Sequence, residues 1–327
     1  MKPTLVSAVV LAAAMGGAAA GASEPEADLM PSAPAIGSPQ AIVGEVAGLN
    51  FSLRGFGEAA FRADIEHLPA DVAVYRYGAG GTAGVPIAER LRLSMSLDGE
   101  FSDYDFEDVL RVIPDVSDPL PQAYRVLVRP ELSIEASRDV SWFVGGIVQS
   151  AGSVDAEFGR TITGGGYGGV KYRVDEGLAL TLGVGAITRL EESVLVAPII
   201  GLEWGGRGAA GPTGGGRRVV SLTTDGLGAT LRVGVTEHLA VAVTGGYELR
   251  EYRLESGGIV PEGVLRDARA VVGAGVEWRP VRNLALELIG GAVPWQEYEV
   301  DDRRGRLIAD VTTETAPFVR LSARITF

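Results

Sequence analysis

Arginines and carboxylates recur at every second position over much of this chain, a spacing that puts both signs on one face of an extended strand. By that alternation Arg54, Glu58, Arg62, Arg92, Asp98, Glu100, Arg125, Arg129, Glu131, Glu135, Arg250, Arg269, Arg320 and Arg324 share a common inner face. Such a set can pair across a closed interior, where buried charges require partners, or line opposite walls of a water-filled pore and orient polar solutes.

Other chemistry has little to draw on. There is no cysteine, which removes disulfides, thiolate metal sites and thiol nucleophiles together. Of two histidines, His67 has Asp64, Glu66 and Asp71 near it in sequence, so a His–carboxylate pair is conceivable there. His238 falls in a tight turn between Glu237 and Leu239. No serine stands in a nucleophile context, so no catalytic residue is assigned, and an outer-face enzyme using His67 ranks third among the readings. The acidic run Asp103–Asp108 offers oxygen ligands, but counting from Asp103 the sixth place is Asp108, not Gly, and the twelfth is Pro114, not Glu. It reads as a solvated outer loop, and neither a metal nor a cofactor is expected. No Gly-rich stretch is followed by the Lys-Ser/Thr of a phosphate-cradling loop.

The elements that must carry these residues are strands. From Phe51 onward apolar residues alternate with polar ones: Leu91, Leu93, Met95, Leu97 and Phe101 oppose Arg92, Ser94, Ser96, Asp98 and Glu100. The same pattern covers 124–136 and 239–250, and it closes the chain, where Val319, Leu321, Ala323, Ile325 and Phe327 alternate with Arg320, Ser322, Arg324 and Thr326. Strands are predicted near 51–65, 71–84, 91–102, 122–136, 141–152, 160–174, 178–188, 194–204, 217–224, 226–234, 239–254, 264–278, 284–298 and 314–327. That makes fourteen; setting the short pair 217–224 and 226–234 outside the wall leaves twelve. Tight turns near 86–90, 137–140, 175–177, 235–238 and 279–283 alternate with longer acidic, Gly- and Pro-containing segments at 103–122, 152–160, 255–266 and 300–314. The glycine-rich 205–217 falls with the tight turns although it is longer. Glycines within the strands permit the bends of a closing sheet or make room for large inner neighbours.

Composition agrees. The 327 residues include 46 glycines, are 46% hydrophobic and carry a formal charge of −13, an acidic excess that argues against a nucleic-acid partner. Lys2, the apolar Leu5–Met15 and the small residues Ala20-Gly21-Ala22 read as a signal peptide over 1–22. Residues 23–48, with four prolines, read as a flexible periplasmic tail, and 49–327 as the folded domain.

Amphipathic strands cross hydrocarbon only as a closed barrel, since every backbone donor and acceptor needs an internal partner. The expected fold is therefore an all-β, antiparallel, up-and-down transmembrane barrel. Trp142, Trp204, Trp278 and Trp295, with Tyr75, Tyr77, Phe101, Tyr104 and Phe327, are expected in interfacial girdles. The amphipathic last strand ending on Phe327 resembles the terminal signal read by the barrel-assembly machinery. Trp142-Phe143-Val144-Gly145-Gly146, Pro198-Ile199-Ile200-Gly201-Leu202-Glu203-Trp204 and Trp278-Arg279-Pro280 resemble uncharacterised outer-membrane proteins of Gram-negative proteobacteria, porin-like in fold. That resemblance implies a fold and a location and carries no activity. The expected partners are outer-membrane lipid and lipopolysaccharide, the assembly machinery and small polar solutes. Function stays between a weakly selective channel and a closed barrel whose outer loops bind envelope components.

Overall fold

The computed structural model describes residues 49–107, 122–175, 177–191, 194–205, 220–225, 227–258 and 260–327. The expected signal peptide 1–22 and tail 23–48 lie outside the described residues, as does the glycine-rich link beyond Gly205.

The strands are β1 (Asn50–Asp64), β2 (Asp71–Ala88), β3 (Leu91–Glu107), β4 (Gln122–Glu135) and β5 (Val140–Ser153). They continue with β6 (Ile162–Arg173), β7 (Leu178–Ile187), β8 (Leu195–Gly205), β9 (Val220–Asp225) and β10 (Gly228–Gly234). The last are β11 (Leu239–Arg253), β12 (Val264–Val281), β13 (Leu284–Asp301), β14 (Leu307–Thr313) and β15 (Ala316–Thr326). Neighbours in sequence pair antiparallel, and β1 closes the sheet against β15 from Ser52↔Thr326 to Ala60↔Phe318. β14 and β15 both pair with β13 and are separated only by Glu314 and Thr315, so they are two halves of one last stave. The wall is a closed fourteen-strand antiparallel barrel, and the short pair β9–β10 belongs to it.

Both ends of the described barrel lie at one rim, where the Phe327 N–H donates to the Phe51 carbonyl at 2.8 Å. The turns at that rim have local reasons. At 136–139, 174–177 and 235–238 two successive N–H groups donate to the carbonyl of the residue that starts the next strand, as Val235 and Thr236 do to Leu239 at 2.8 and 3.0 Å. A short polar side chain completes each turn: Ser137 accepts from the Val140 N–H, Asp175 from Gly177 and Thr236 from His238. The stretch Trp278-Arg279-Pro280, expected to begin such a turn, lies in β12.

The opposite, distal rim departs further from expectation. β3 continues through the acidic run to Glu107, and the 300–314 segment is largely strand, with β13 reaching Asp301 and β14 starting at Leu307. Alternation explains both, because Tyr104, Phe106, Val300 and Val311 point inward and pack together while Asp103, Asp105 and Glu107 face out. Asp302 organises the turn that remains: its carboxylate accepts from the Arg304 and Arg306 N–H groups at 2.8 and 3.0 Å and pairs with the Arg306 guanidinium, first and foremost the backbone and side chain of Arg306 pulling its pKa down to about 2.

Leu93, Met95, Leu97, Val144, Leu182, Ile200, Val243 and Leu321 form an exposed apolar belt on the outer face. Trp142, Trp204 and Trp278 edge it toward the rim bearing the termini, and Phe61, Tyr75 and Tyr77 toward the distal rim. Tyr104, expected in a girdle, is instead buried inside.

One stretch of wall is low. Among the described residues β9 pairs with β8 over Glu203–Gly205, and β10 pairs with β11 up to Gly228↔Gly246, with the Tyr247 N–H donating to the Leu227 carbonyl just beyond. Beyond that height β11 leans across the interior, and Arg253 forms a parallel bridge with Gly152 of β5. Only glycine permits this approach: a Cβ at position 152 would sit 2.7 Å from Thr161 Cγ2 and 3.1 Å from the Arg253 carbonyl oxygen. Gly152→Val is expected to cost about 1–3 kcal/mol through overpacking, read as a lower urea midpoint in lipid vesicles. An unchanged midpoint would show that the two strands do not bear on each other.

Candidate functional site

Inside the barrel, three levels succeed one another from the rim with the termini to the distal rim. The first is a partly hydrated vestibule. Arg54 and Arg129 hold Asp98 at 2.6 and 3.2 Å, Lys171 holds Glu203 at 2.8 Å, and Arg232 reaches Glu277 and Glu287 at 3.3 and 3.1 Å. These pairs join strands one to three places apart and so follow the wall. Gly80 makes room for one of them, since a Cβ there would overlap the Asp98 carboxylate.

The second level crosses the lumen. Asp267 on β12 accepts from Tyr104 on β3 at 2.7 Å and from Gln296 at 2.7 Å, and is paired with Arg76 on β2. Arg269 bridges Glu58 and Glu248 at 2.6 and 2.8 Å, and Arg320 joins the same two carboxylates. Arg250 on β11 grips both oxygens of Glu100 on β3 at 2.6 and 3.1 Å. Arg76 is 1% exposed, and Arg269 and Asp267 are 0% exposed, so no water column runs past them. Two-oxygen arginine grips and phenol donors satisfy carboxylates that burial would otherwise make costly.

The third level is apolar. Val72, Val74, Tyr252, Leu265, Val293, Tyr298, Val300 and Phe318 fill the distal interior, with Ile65 and Leu68 folding over from the first distal loop. Tyr104 meets Tyr252 and Tyr298 edge-on at 6.2 Å. This half of the bore is packed like the inside of a soluble protein.

The inner-face residues expected from alternation fall into distinct places. Glu58, Glu100, Arg250, Arg269 and Arg320 meet in the crossing layer. Arg54, Asp98 and Arg129 meet in the vestibule. Arg92 packs beside Gly84, Glu131 accepts from the Tyr167 hydroxyl at 3.1 Å, and Glu135 is exposed at the rim with the termini. Arg324 follows Arg320 by two pairs on β15 and shares its face toward that rim. Arg125 stands apart and donates from Nε to Gln149 at 3.0 Å.

Arg62 needs correction. A register shift between Ala60 and Ala63 turns it outward, where it pairs with Asp71 and Glu107 at 2.6 Å and Asp105 at 2.5 Å on the outer surface. His67 is exposed in the first distal loop with φ of 66°, and its ring makes no hydrogen bond to a carboxylate among the described residues. His238 donates from Nδ1 to the Arg279 carbonyl at 2.9 Å.

Parity misses a second group. Glu251 and Arg253 lie on the outward face of β11 yet are shielded, because the strand leans inward and exposes that face to a second, smaller compartment. There Arg189 and Arg266 hold Glu251, and Arg253 pairs with Glu191. Leu127, Phe143, Ile147, Tyr167, Ile187 and Ile199 pack beneath. The signal in the sequence is the brevity of the strands flanking Asp225-Gly226, which cannot support β11 to its full height.

No family model and no curated protein matches the chain. Among solved structures it is similar to an outer-membrane channel of Pseudomonas putida F1, with 8% identity, 89% of this chain and 99% of that one covered, and a TM-score of 0.45. It is also similar to the toluene transporter TodX of P. putida, with 9% identity, coverage of 86% and 90%, and a TM-score of 0.45. A FadL homologue of Pseudomonas aeruginosa is similar at 11% identity, with coverage of 85% and 90% and a TM-score of 0.36. The apolar belt, the two aromatic girdles and the closed fourteen-strand wall together make this fold that of an outer-membrane β-barrel.

Proposed function

We propose that the protein is an outer-membrane channel for small solutes that is shut in its resting state, rather than an open diffusion pore. The observation that carries this reading is the layer of ion pairs spanning from β2 and β3 to β11 and β12, with Arg76, Asp267 and Arg269 withdrawn from water. Opposite walls joined by side chains can part without breaking the backbone ladder. A barrel serving only as scaffold would be filled at lower cost by apolar residues, since buried ion pairs seldom stabilise relative to well-packed hydrophobic ones. Polar solutes reach the vestibule from the rim with the termini, and passage requires the crossing layer to separate. Bilayer lipid and lipopolysaccharide are the proposed surroundings, and Phe327, exposed at the closing seam, is the proposed contact for the barrel-assembly machinery.

Planar-bilayer recording of refolded protein tests the reading. Wild-type barrel is expected to show no steady ion conductance, with brief openings when the crossing layer is weakened by Glu100→Gln. A steady open-pore current from the wild type would overturn the resting closure. Silence from both proteins, with folding confirmed, would overturn the channel and leave a closed barrel.

A further inference from the structure

Passage through the crossing layer requires the ion pairs that bar the lumen to part, and the strand register decides which partners each charge meets once they do. Resting on the channel reading, we infer that the solute admitted is a small anion.

The bars are Arg76 to Asp267 and Arg250 to Glu100, which tie β2 and β3 to β12 and β11. Each of the four carboxylates in the layer also has an arginine directly opposite it on a paired strand. Glu58 faces both Arg76 and Arg320, Glu100 faces Arg125, Glu248 faces Arg269, and Asp267 faces Arg250. Directly opposite side chains stand about 4.5–5.5 Å apart at Cβ, within the reach of an arginine. Parting therefore exchanges partners within the wall: Arg76 passes from Asp267 to Glu58, Arg250 from Glu100 to Asp267, and Glu100 to Arg125. No carboxylate is stripped of a cation, the event that would make opening prohibitively costly.

The exchange leaves a definite sign. Among the described residues the layer brings together five arginines and four carboxylates, and the surplus falls at Glu58, which is flanked by two arginines. Arg76 Nε and Arg269 Nη1 have no hydrogen-bond partner even in the closed layer, so guanidinium N–H groups are in excess as well as charge. The chain as a whole carries −13, which makes a positive constriction a local feature and not a reflection of composition. An anion crossing the parted layer meets spare donors and a surplus cation, whereas a cation meets only carboxylates already held by arginine.

The sequence has no cysteine, so Ser102→Cys places a single thiol in the layer. Ser102 is buried on β3 between Glu100 and Tyr104 and bonds to Tyr252 of β11 at 3.2 Å. In the full barrel in nanodiscs, this thiol is treated with the anionic sulfonatoethyl and the cationic trimethylammonioethyl methanethiosulfonate, each rate being divided by that with free mercaptoethanol. The anionic reagent is expected to be favoured by about tenfold. Arg320→Gln, which leaves every carboxylate one arginine and the layer balanced, is expected to bring the ratio to about one, and Arg320→Lys to preserve it. Equal rates in the parent, a faster cationic reagent, or a preference untouched by Arg320→Gln would overturn the anion inference and leave the channel standing. If Arg320→Gln does not fold, the comparison of the two reagents in the parent decides. Protection of the thiol from both reagents, with folding confirmed, would show that the layer does not part and would overturn the channel reading together with this one.

Discussion

Asp267→Ala is expected to destabilise the folded barrel by about 3–5 kcal/mol, the cost of stranding a buried charge. Asp267 is 0% exposed and is the shared acceptor for Arg76, Tyr104 and Gln296. Removing its carboxylate leaves a guanidinium with a side chain 0% exposed and, among the described residues, only Glu58, at 3.3 Å, to offset it. Reversible urea unfolding in lipid vesicles gives the measurement. The double change Arg76→Leu with Asp267→Leu is expected to recover most of the loss, since replacing both members of a buried pair by apolar groups is often neutral. A single variant within about 1 kcal/mol of wild type would mean that water reaches the layer and solvates the arginine, an outcome incompatible with a shut lumen.

The second large effect lies on the other face of the wall. Leu182→Arg is expected to cost about 2–4 kcal/mol in vesicles, the penalty for a cation at the bilayer midplane. Leu182 is 57% exposed, sits in the middle of β7 and is flanked by outward Val170 and Ile200 on the neighbouring strands. The same substitution at Tyr172, toward the rim with the termini, is expected to cost about 1 kcal/mol or less, because the penalty falls near the interface. Equal effects at the two depths, measured from urea midpoints, would remove the assignment of this belt to hydrocarbon.

How much of this was legible in the sequence depends on how far a period of two holds. Over Leu91–Glu100 the alternation gave both faces, but mixed charge on the inner one fits pairing across the lumen and a water-filled pore equally well. At Ala60–Ala63 one extra residue reversed the parity and carried Arg62 to the outer surface, which alternation alone has no means to register. Tyr104 and Phe106 were hidden within an acidic run that composition assigns to a loop, yet strand β3 continues because both rings point inward. Glu251 and Arg253 escaped for a different reason. Their face became interior only because the shortness of β9 and β10 lets β11 lean, a consequence of relative strand heights rather than of any local pattern.

Because β11 leans on β5 at Gly152, the barrel's cross-section is a figure of eight whose two chambers share one partition. The larger chamber is filled with close-packed side chains and resists compression. A displacement of β11 on the side of the smaller chamber must therefore either press Arg250 and Tyr252 against Glu100 and Tyr104 or spread the low wall beside β8. In the first case a load on one side is transmitted mechanically to the ion pairs on the other.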